Sequence, residues 1–308
     1  MIVTSNNLHP HLREIEKSFS PSPLSPINEP LLHAHGIELW LKRDDLLHPI
    51  ISGNKWRKLK YSLNDALNLG KDTIISMGGA HSNHLHALAY AGKSLNLKTH
   101  GIIRGEQPAH ITATLKDLQD WDMRLTYISR TEYRHLRQYH GHQDLPNIKP
   151  NEYWLPEGGA TPLALKGVAE LVTEIDIPYD ILCAPCGTGT TLAGMINAAP
   201  AEKSVIGFAA LKNAHFLNDD VINLLPSTHF NWKINHNYHF GGFAKTTPEL
   251  MRFIKKFADS TGIILEPVYT GKMLFALYDL ITQNTFKSGL RIIAIHTGGL
   301  QGLRGFNE

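Results

Sequence analysis

Short apolar runs alternate with helical patterns along most of this chain, and that alternation restricts the possible fold more than any other feature. The runs at residues 73–77, 181–184 and 292–295 are typical of strands buried on both faces, and most stretches between such runs have helical spacing. Strands that alternate with helices in this way form parallel sheets covered on both faces. We therefore predict an α/β fold with doubly wound parallel sheets, whose ligands bind in loops at the carboxyl ends of the strands.

Two stretches lack this alternation of strand and helix patterns. Four prolines, at positions 21, 23, 26 and 30, interrupt residues 1–36, which favours an extended connector lying on the surface. Residues 130–150 are rich in His, Arg and Gln, and their pattern predicts a helix followed by a loop.

The overall composition excludes several classes of function. The 308 residues carry a formal net charge of +2, which gives no electrostatic basis for binding nucleic acid or a membrane surface. No apolar run approaches the ~20 residues that a membrane-spanning helix needs. Residues 1–7 lack the basic and apolar regions of a secretory signal, so we expect a cytoplasmic protein. The two cysteines, Cys183 and Cys186, lack the further ligands of a zinc site and the context of a redox pair.

Lys55 stands at the first turn of a predicted helix, directly after the sequence Ser-Gly-Asn. The positive end of a helix disfavours an ammonium group, so this amine has a reason to be uncharged and nucleophilic toward an aldehyde. The alternative is a solvated lysine at the start of a basic helix, because Arg57, Lys58 and Lys60 follow. On this stretch alone the solvated interpretation is favoured, and the motifs below reverse that judgement.

A glycine-rich loop with the sequence Cys-Gly-Thr-Gly-Thr-Thr-Leu-Ala-Gly, residues 186–194, follows one predicted strand and opens a helix. Glycines let backbone amides converge on an anion, the helix terminus adds partial positive charge, and the threonines add hydroxyls. The Gly-Lys-Ser/Thr of a P-loop is missing, and no suitable acidic residue ends the next strand, as a dinucleotide site would require. We therefore favour a phosphate site over a plain glycine-rich helix start.

Three further segments place small polar residues at strand ends or helix starts. Residues 78–84 read Gly-Gly-Ala-His-Ser-Asn-His, and their histidines suggest a metal site as one alternative. We predict no metal there, because the histidines crowd one helix start and no carboxylate joins them. Residues 266–272 read Glu-Pro-Val-Tyr-Thr-Gly-Lys, and residues 296–299 read His-Thr-Gly-Gly. Each of these two segments alone is typical of a turn.

Taken in order, five motifs resemble those of one enzyme family. They are Lys-Arg-Asp-Asp…Gly-Asn-Lys-x-Arg-Lys-Leu, Gly-Gly-x-x-Ser-Asn-His, Gly-Thr-Gly-Thr-Thr-x-Ala-Gly, Pro-Val-Tyr-Thr-Gly-Lys and His-Thr-Gly-Gly. The order is similar to that of the pyridoxal-phosphate enzymes grouped as D-cysteine desulfhydrases and 1-aminocyclopropane-1-carboxylate (ACC) deaminases. The resemblance implies two doubly wound parallel-sheet domains of the tryptophan synthase β-like type (fold type II). It implies a large cofactor-binding domain of residues 1–50 and 164–308, a small domain of residues 51–163, and a homodimer.

The resemblance also implies roles for individual residues. Lys55 would form the Schiff base with pyridoxal 5′-phosphate and then act as the proton-transfer base. The catalytic residues would be Lys55, Ser82 and Tyr269. The residues on the substrate side would be Ser82, Asn83, His84 and Tyr269. The cofactor-binding residues would be Lys55, Asn83, Gly187, Thr188, Gly189, Thr190, Thr191, Thr270 and Thr297.

Two positions separate the subgroups of this family. The deaminases carry a glutamate after the Pro-Val-Tyr tyrosine, where it meets the pyridine nitrogen, and a leucine in the His-x-Gly-Gly segment. Thr270 and Thr297 stand at these positions. A neutral hydroxyl can donate to an unprotonated nitrogen, which gives a weaker electron sink that suffices when a thiolate leaves. The resemblance therefore favours a lyase that converts D-cysteine to pyruvate, ammonia and sulfide, with ACC deamination to 2-oxobutanoate and ammonia as the alternative.

Two residues depart from the family pattern. Phe243 stands where a second active-site tyrosine of the deaminases aligns, and His81 stands where a glutamine is expected. The missing hydroxyl at Phe243 weakens the deaminase alternative and leaves open which small amino acid is the substrate. A third hypothesis, of a different class, is a non-catalytic protein that binds phosphate or a nucleotide in the glycine-rich loop at residues 186–194, which we call the threonine loop.

Overall fold

The computed structural model describes residues 8–306, and its strands form two sheets. The larger sheet contains β1 (Leu24–Ile27), β2 (Glu38–Lys42), β7 (Ile181–Cys186), β8 (Ser204–Ala209), β9 (Trp232–Asn235) and β10 (Arg291–Ile295). Its strand order is β1-β2-β10-β7-β8-β9, and every neighbouring pair is parallel except β1 with β2. The smaller sheet contains β3 (Thr73–Gly78), β4 (Lys98–Arg104), β5 (Arg124–Ile128) and β6 (Glu152–Leu155). Its order is β5-β4-β3-β6, and all its pairs are parallel.

Helices cover both sheets. They are α1 (Pro10–Glu16), α2 (Pro30–His35), α3 (Asn54–Asn68), α4 (Asn83–Ser94), α5 (Ala113–Asp120), α6 (Arg130–Leu136), α7 (Pro162–Thr173), α8 (Thr190–Ala198), α9 (Phe216–Leu224), α10 (Pro248–Thr261) and α11 (Thr270–Thr282). Three 3-10 turns, Asp44–Leu46, Glu157–Gly159 and Leu300–Phe306, complete the described elements. Between residues 8 and 306, no helix combines the length and the apolar character needed to cross a bilayer.

The prediction of an extended connector at residues 1–36 is wrong for the part of it that the structure describes, from residue 8 onward. This part forms α1, β1 and α2, because Pro10 and Pro30 each occupy the first position of a helix, where proline is tolerated. Pro26 lies in the edge strand β1, the sheet position that proline can occupy. Residues 1–7, on which the expectation of no secretory signal rests, lie outside the described residues.

Three further elements lie where the sequence pattern predicts none. They are α9 and the two short strands β6 and β9. Both strands have four residues and lie at sheet edges, so neither shows enough of a repeating pattern to be recognised.

Helix α3 is buried on almost every side, which the sequence alone does not predict. Its apolar residues Trp56, Leu59 and Leu63 belong to the core beside the smaller sheet. On another side α3 packs closely on α7, since a methyl group at Gly167 would lie 1.8 Å from the carbonyl oxygen of Arg57. The helix that carries Lys55 is therefore fixed between the two halves of the molecule.

The basic run on α3 is not the solvated face considered as the alternative for Lys55. Arg57, Lys58 and Lys60 are all buried. The Arg57 guanidinium donates to the Asp44 carboxylate, with Nη2 2.9 Å from Oδ1, and to both oxygens of Glu174. Lys60 pairs with Glu170 at 2.9 Å. Buried charges require such partners, so this network fixes the start of α3 against α7 and the Asp44–Leu46 turn.

The strands of the smaller sheet all lie between residues 73 and 155, and those of the larger sheet lie in residues 24–42 and 181–295. The domain boundaries at 50/51 and 163/164 remain a prediction. Because each sheet is parallel in its interior, the loops after β3, β4 and β6 meet at one edge, and those after β7 and β10 meet at another.

Candidate active site

A cavity of about 520 Å³ lies where the carboxyl edges of the two sheets face each other. Loops after β3, β4 and β6 form one side of its wall, and loops after β7 and β10 together with the first turn of α3 form the other. The structure brings most of the predicted site residues together here: Lys55, Ser82, Asn83, His84, Gly187, Thr188, Gly189, Thr191, Tyr269 and Thr297.

Two predicted site residues, Thr190 and Thr270, are not part of this wall and are fully buried. Oγ1 of Thr190 lies 3.0 Å from Oγ1 of Thr188. Oγ1 of Thr270 donates to Oε1 of Glu266 at 3.0 Å. A hydroxyl has a single proton, so Thr270 in this arrangement has none left for a ring nitrogen. The structure therefore argues against the donor role predicted for Thr270, and its contribution to cofactor binding remains a prediction.

Lys55 is the second residue of α3 and reaches the cavity. Gly53, just before the helix, has φ 68°, and a methyl group there would lie 1.9 Å from the carbonyl oxygen of Thr297. Only glycine fits this position. The Asn54 amide donates to the same oxygen at 3.2 Å. The loop after β10 therefore packs directly against the start of α3, next to Lys55.

The Lys55 amine has the properties of a nucleophile. Burial lowers its pKa to about 8, although the Glu266 carboxylate acts in the opposite direction. Burial is thus the main cause of the shift, whereas the sequence analysis ascribed it to the helix terminus. Within residues 8–306, the amine makes no hydrogen bond or ion pair. It remains available to react with a carbonyl group in the cavity.

The threonine loop has the geometry of an anion site. Gly189 has φ 71°, and a methyl group there would lie 2.7 Å from Cγ2 of Val221. The first backbone amides of α8 have no partners within the helix, so they can donate to a ligand. Oγ1 of Thr191 accepts from Nδ2 of Asn54 at 2.8 Å, which leaves the hydroxyl proton free to donate. This bond also joins the loop directly to the residue before Lys55.

Ser82 and Asn83 begin α4 on the opposite side of the cavity. Oγ of Ser82 accepts the backbone amide of Leu85 at 3.2 Å and retains its proton for a ligand. Oδ1 of Asn83 accepts from Nε2 of Gln301 at 3.1 Å. Because the oxygen is occupied, Nδ2 of Asn83 is left as a donor, which agrees with a role at a ring hydroxyl.

His84 is buried and neutral. Ser76 Oγ donates to the carbonyl oxygen of Leu155 at 2.7 Å, so it accepts from Nε2 of His84 at 2.8 Å. This leaves Nδ1 of His84 as an acceptor, and it has no partner in the described structure. Burial lowers the pKa of His84 to about 3, helped by Lys55 and Lys58. His84 therefore offers the cavity a neutral acceptor and not a positive charge.

Lys58 is a site residue that the sequence analysis missed. It is buried, lines the cavity, and makes no hydrogen bond or ion pair within the described residues. Burial and the nearby Lys55 hold its pKa well below the usual range. An anion bound in the cavity would provide the partner that this amine lacks. Its spacing of three from Lys55 places both side chains on one helix face, which could have indicated its role.

Glu266 is a second missed residue, and it lies at the cavity wall beside Tyr269. Its carboxylate accepts the backbone amides of Val268, Tyr269 and Thr270 at the start of α11. Burial raises the pKa of Glu266, although these bonds oppose the shift. Burial also raises the pKa of Tyr269, with smaller contributions from Glu266 and Glu157. The phenol of Tyr269 is therefore protonated at neutral pH and can serve as an acid.

These residues fit a flat ligand that carries an aldehyde and an anionic ester. Lys55 provides the amine, the glycine-rich loop at residues 186–194 and the unpartnered Lys58 suit an anion, and Asn83 offers a donor on the opposite wall. Within the described residues, no three His, Cys, Asp or Glu side chains come together as a metal-binding group.

Comparison with known proteins decides the family. Residues 15–298 match the family model described as pyridoxal-phosphate dependent enzyme. The chain belongs to the pyridoxal-phosphate dependent enzymes. It is 34% identical to the bifunctional D-cysteine desulfhydrase/1-aminocyclopropane-1-carboxylate deaminase, mitochondrial, of Arabidopsis thaliana, over 95% of this chain and 81% of that protein. The prediction of pyridoxal 5′-phosphate as cofactor is confirmed.

Solved structures support the same conclusion for the fold. A structure described as an ACC deaminase homologue has a TM-score of 0.80 and 27% identity, and the match covers 97% of this chain and 98% of that one. A threonine deaminase isoform from Solanum lycopersicum, at 18% identity, has a TM-score of 0.63 over 96% of this chain and 85% of that one. The prediction of a tryptophan synthase β-like, fold type II enzyme is confirmed.

We expect the replacement of Lys58 by glutamine to weaken the binding of pyridoxal phosphate by about tenfold, because a charge-assisted bond to the phosphate would be lost. Absorbance titration of the apo-protein measures this affinity. Lys116→Gln, on the exposed surface of α5, is the matched control and should bind normally. Equal affinities of the two variants would contradict a phosphate role for Lys58.

We expect capture of pyridoxal phosphate by the apo-protein to accelerate up to about pH 8 and then to level off. Only the free amine of Lys55 attacks the aldehyde, and its pKa is lowered to about 8. An ordinary lysine, with a pKa of about 10.4, would continue to gain rate beyond pH ~10. Stopped-flow absorbance over this pH range distinguishes the two profiles.

Proposed function

We propose that this enzyme catalyses β-elimination from a small amino acid, with D-cysteine as substrate and pyruvate, ammonia and sulfide as products. The observation that carries this proposal is that Tyr269 is the only tyrosine on the cavity wall within the described residues. Phe243 lies edge-on to it, with the ring centroids 6.0 Å apart, and has no hydroxyl to offer. One phenol in the same cavity as the free amine of Lys55 suits the removal of one proton and the departure of one leaving group.

The proposed roles follow from the geometry. Bound pyridoxal phosphate supplies the electron sink that acidifies the Cα proton of the amino acid. Lys55 takes that proton, and the Cβ–S bond breaks with its electron pair going to sulfur. The protonated Tyr269 donates to the departing sulfur. Ser82 and Asn83 bind the substrate carboxylate and the ring hydroxyl, and water hydrolyses the released 2-aminoacrylate to pyruvate and ammonia.

ACC deamination remains the second candidate, and one observation favours it. Glu266 places a carboxylate on the cavity wall, and its partner Thr270 is not free to donate to a ring nitrogen. A carboxylate near the ring nitrogen would make a stronger electron sink than the neutral hydroxyl expected from Thr270. The name of the Arabidopsis thaliana relative combines both activities.

The test is to offer the purified holoenzyme D-cysteine, L-cysteine and ACC in parallel. We expect sulfide and pyruvate in equal amounts from D-cysteine, and little 2-oxobutanoate from ACC. Tyr269→Phe should slow sulfide release by about 10²-fold, which is the usual contribution of a positioned acid. Phe243→Tyr serves as the companion variant, because it adds the hydroxyl that ring opening would use. If D-cysteine is inert while ACC yields 2-oxobutanoate, the assignment to β-elimination is wrong.

We further propose that the enzyme is a cytoplasmic homodimer and that its substrates are small amino acids. The family resemblance supports the dimer, and light scattering on the holoenzyme tests it. The domain boundaries given above belong to the same set of proposals, and limited proteolysis tests them.

A further inference from the structure

Charged side chains gather at one side of the cavity, on the carboxyl edge of the smaller sheet. Arg104 is the last residue of β4, Arg137 follows α6, and Glu157 follows β6. All three line the same cavity as Lys55. The proposed function assigns none of them a role.

Two of these charges already neutralise each other. Glu157 accepts a hydrogen bond from the hydroxyl of Tyr133 at 2.6 Å and pairs with Nε of Arg137 at 3.0 Å. Because its oxygens have these partners, Glu157 is poorly placed to bind a cationic ligand. The cluster therefore keeps one net positive charge, which belongs to Arg104.

Arg104 is exposed and stacks on a tyrosine ring, and it has no anionic partner among the described residues. Its guanidinium lies over the ring of Tyr133, 5.7 Å from the ring centroid, and such stacking orients the planar group. Within residues 8–306, it makes no hydrogen bond or ion pair with another residue. All five of its N–H donors remain available to a ligand.

The guanidinium also lies close to the proposed substrate residues. A methyl group at Gly79 would lie 3.9 Å from Nη2 of Arg104, so the guanidinium lies near the loop that leads to Ser82 and Asn83. That loop follows β3, which is the direct neighbour of β4 in the sheet. An amino acid whose α-carboxylate is bound by Ser82 would therefore lie next to the part of the cavity that Arg104 lines.

We propose that Arg104 binds a carboxylate at the far end of the substrate side chain, so that the site prefers acidic amino acids over their neutral counterparts. A planar guanidinium matches a carboxylate through two parallel hydrogen bonds, which makes this the chemistry that Arg104 fits best. The inference rests on the proposed function only in taking the cavity as an amino-acid site. It does not depend on which bond the enzyme breaks.

The test compares pairs of amino acids that differ only in charge. Aspartate with asparagine, and glutamate with glutamine, in both D and L forms, are titrated into the holoenzyme while the absorption spectrum of the cofactor is recorded. We expect the acid of at least one pair to bind about tenfold more tightly than its amide. Arg104→Gln should remove that preference, and Arg104→Lys should restore part of it.

Arg134→Gln is the matched control, because Arg134 is an exposed arginine on α6 that does not line the cavity. It should keep the preference for the acid. Equal binding of acid and amide by the wild type, a preference unchanged in Arg104→Gln, or no binding of any of these amino acids would each overturn the inference. Sulfide release from D-cysteine is measured separately, so an inert D-cysteine with an intact preference for acids would reject the proposed reaction and leave this inference standing.

Discussion

Replacing Lys55 by alanine is expected to leave a folded protein that forms no covalent bond with pyridoxal phosphate and has lost activity by at least about 10³-fold. Lys55 reaches the cavity, and its pKa is lowered to about 8. Its amine makes no hydrogen bond or ion pair with any of the described residues. The variant loses both the amine that attaches the cofactor and the base that moves the Cα proton. These two losses act on the same reaction, so a large effect follows.

Borohydride reduction followed by peptide mass spectrometry measures the attachment directly. In the wild type, the reduced adduct should map to the peptide that contains Lys55. Lys58→Ala is the informative companion, because its amine lies in the same cavity and should affect affinity without abolishing the adduct. An adduct on Lys58 in the wild type, or activity within tenfold of wild type in Lys55→Ala, would contradict the assignment.

Arg57→Ala is expected to reduce the free energy of unfolding by about 3–5 kcal/mol, which is typical when one partner of a buried ion pair is removed. Asp44 is completely buried, and its carboxylate accepts two hydrogen bonds from Arg57. Without the guanidinium, this carboxylate loses its main partner in the interior. The Glu174 carboxylate is affected less, because it is partly exposed and retains Lys42 at 2.9 Å.

Urea unfolding of the apo-protein measures this change without the added stability that a bound cofactor contributes. Arg57→Lys should lose less than Arg57→Ala, since it keeps the charge but not the paired hydrogen bonds. Arg13→Ala, at an exposed position on α1, removes the same side chain where it is solvated and should change the free energy of unfolding by less than about 0.5 kcal/mol. Equal losses in Arg57→Ala and Arg13→Ala would show that the buried network contributes little.

The part of the fold that the sequence predicts is the part with strong local patterns. Apolar runs and neighbouring glycines predict helix α8 and strand β10, and the structure confirms both elements. Helices α1 and α2 were not predicted, because composition alone does not distinguish a proline that begins a helix from a proline in an extended connector. The burial of Arg57 and Lys60 depends on carboxylates more than 100 positions away on α7 and just beyond it. No local pattern could reveal those partners.

The same limit applies to the site. The motif around Lys55 and the threonine loop could be recognised because each is a continuous segment with its own chemistry. Lys58 and Arg104 could not, since each acquires its significance from the elements that surround it in space. Glu266 belongs to a recognised motif, but its hydrogen bonds to the start of α11 become evident only when the helix is seen.

The hydrogen bond between Asn54 and Thr191 has a consequence for engineering this enzyme. This bond joins the residue before Lys55 directly to the threonine loop, so the two segments that would hold the cofactor are connected to each other. Ser82 and Arg104, which are proposed to recognise the amino acid, lie instead on the opposite wall, at the edge of the smaller sheet. Substituting Ser82 or Arg104 should therefore change which amino acid is preferred while pyridoxal phosphate remains bound.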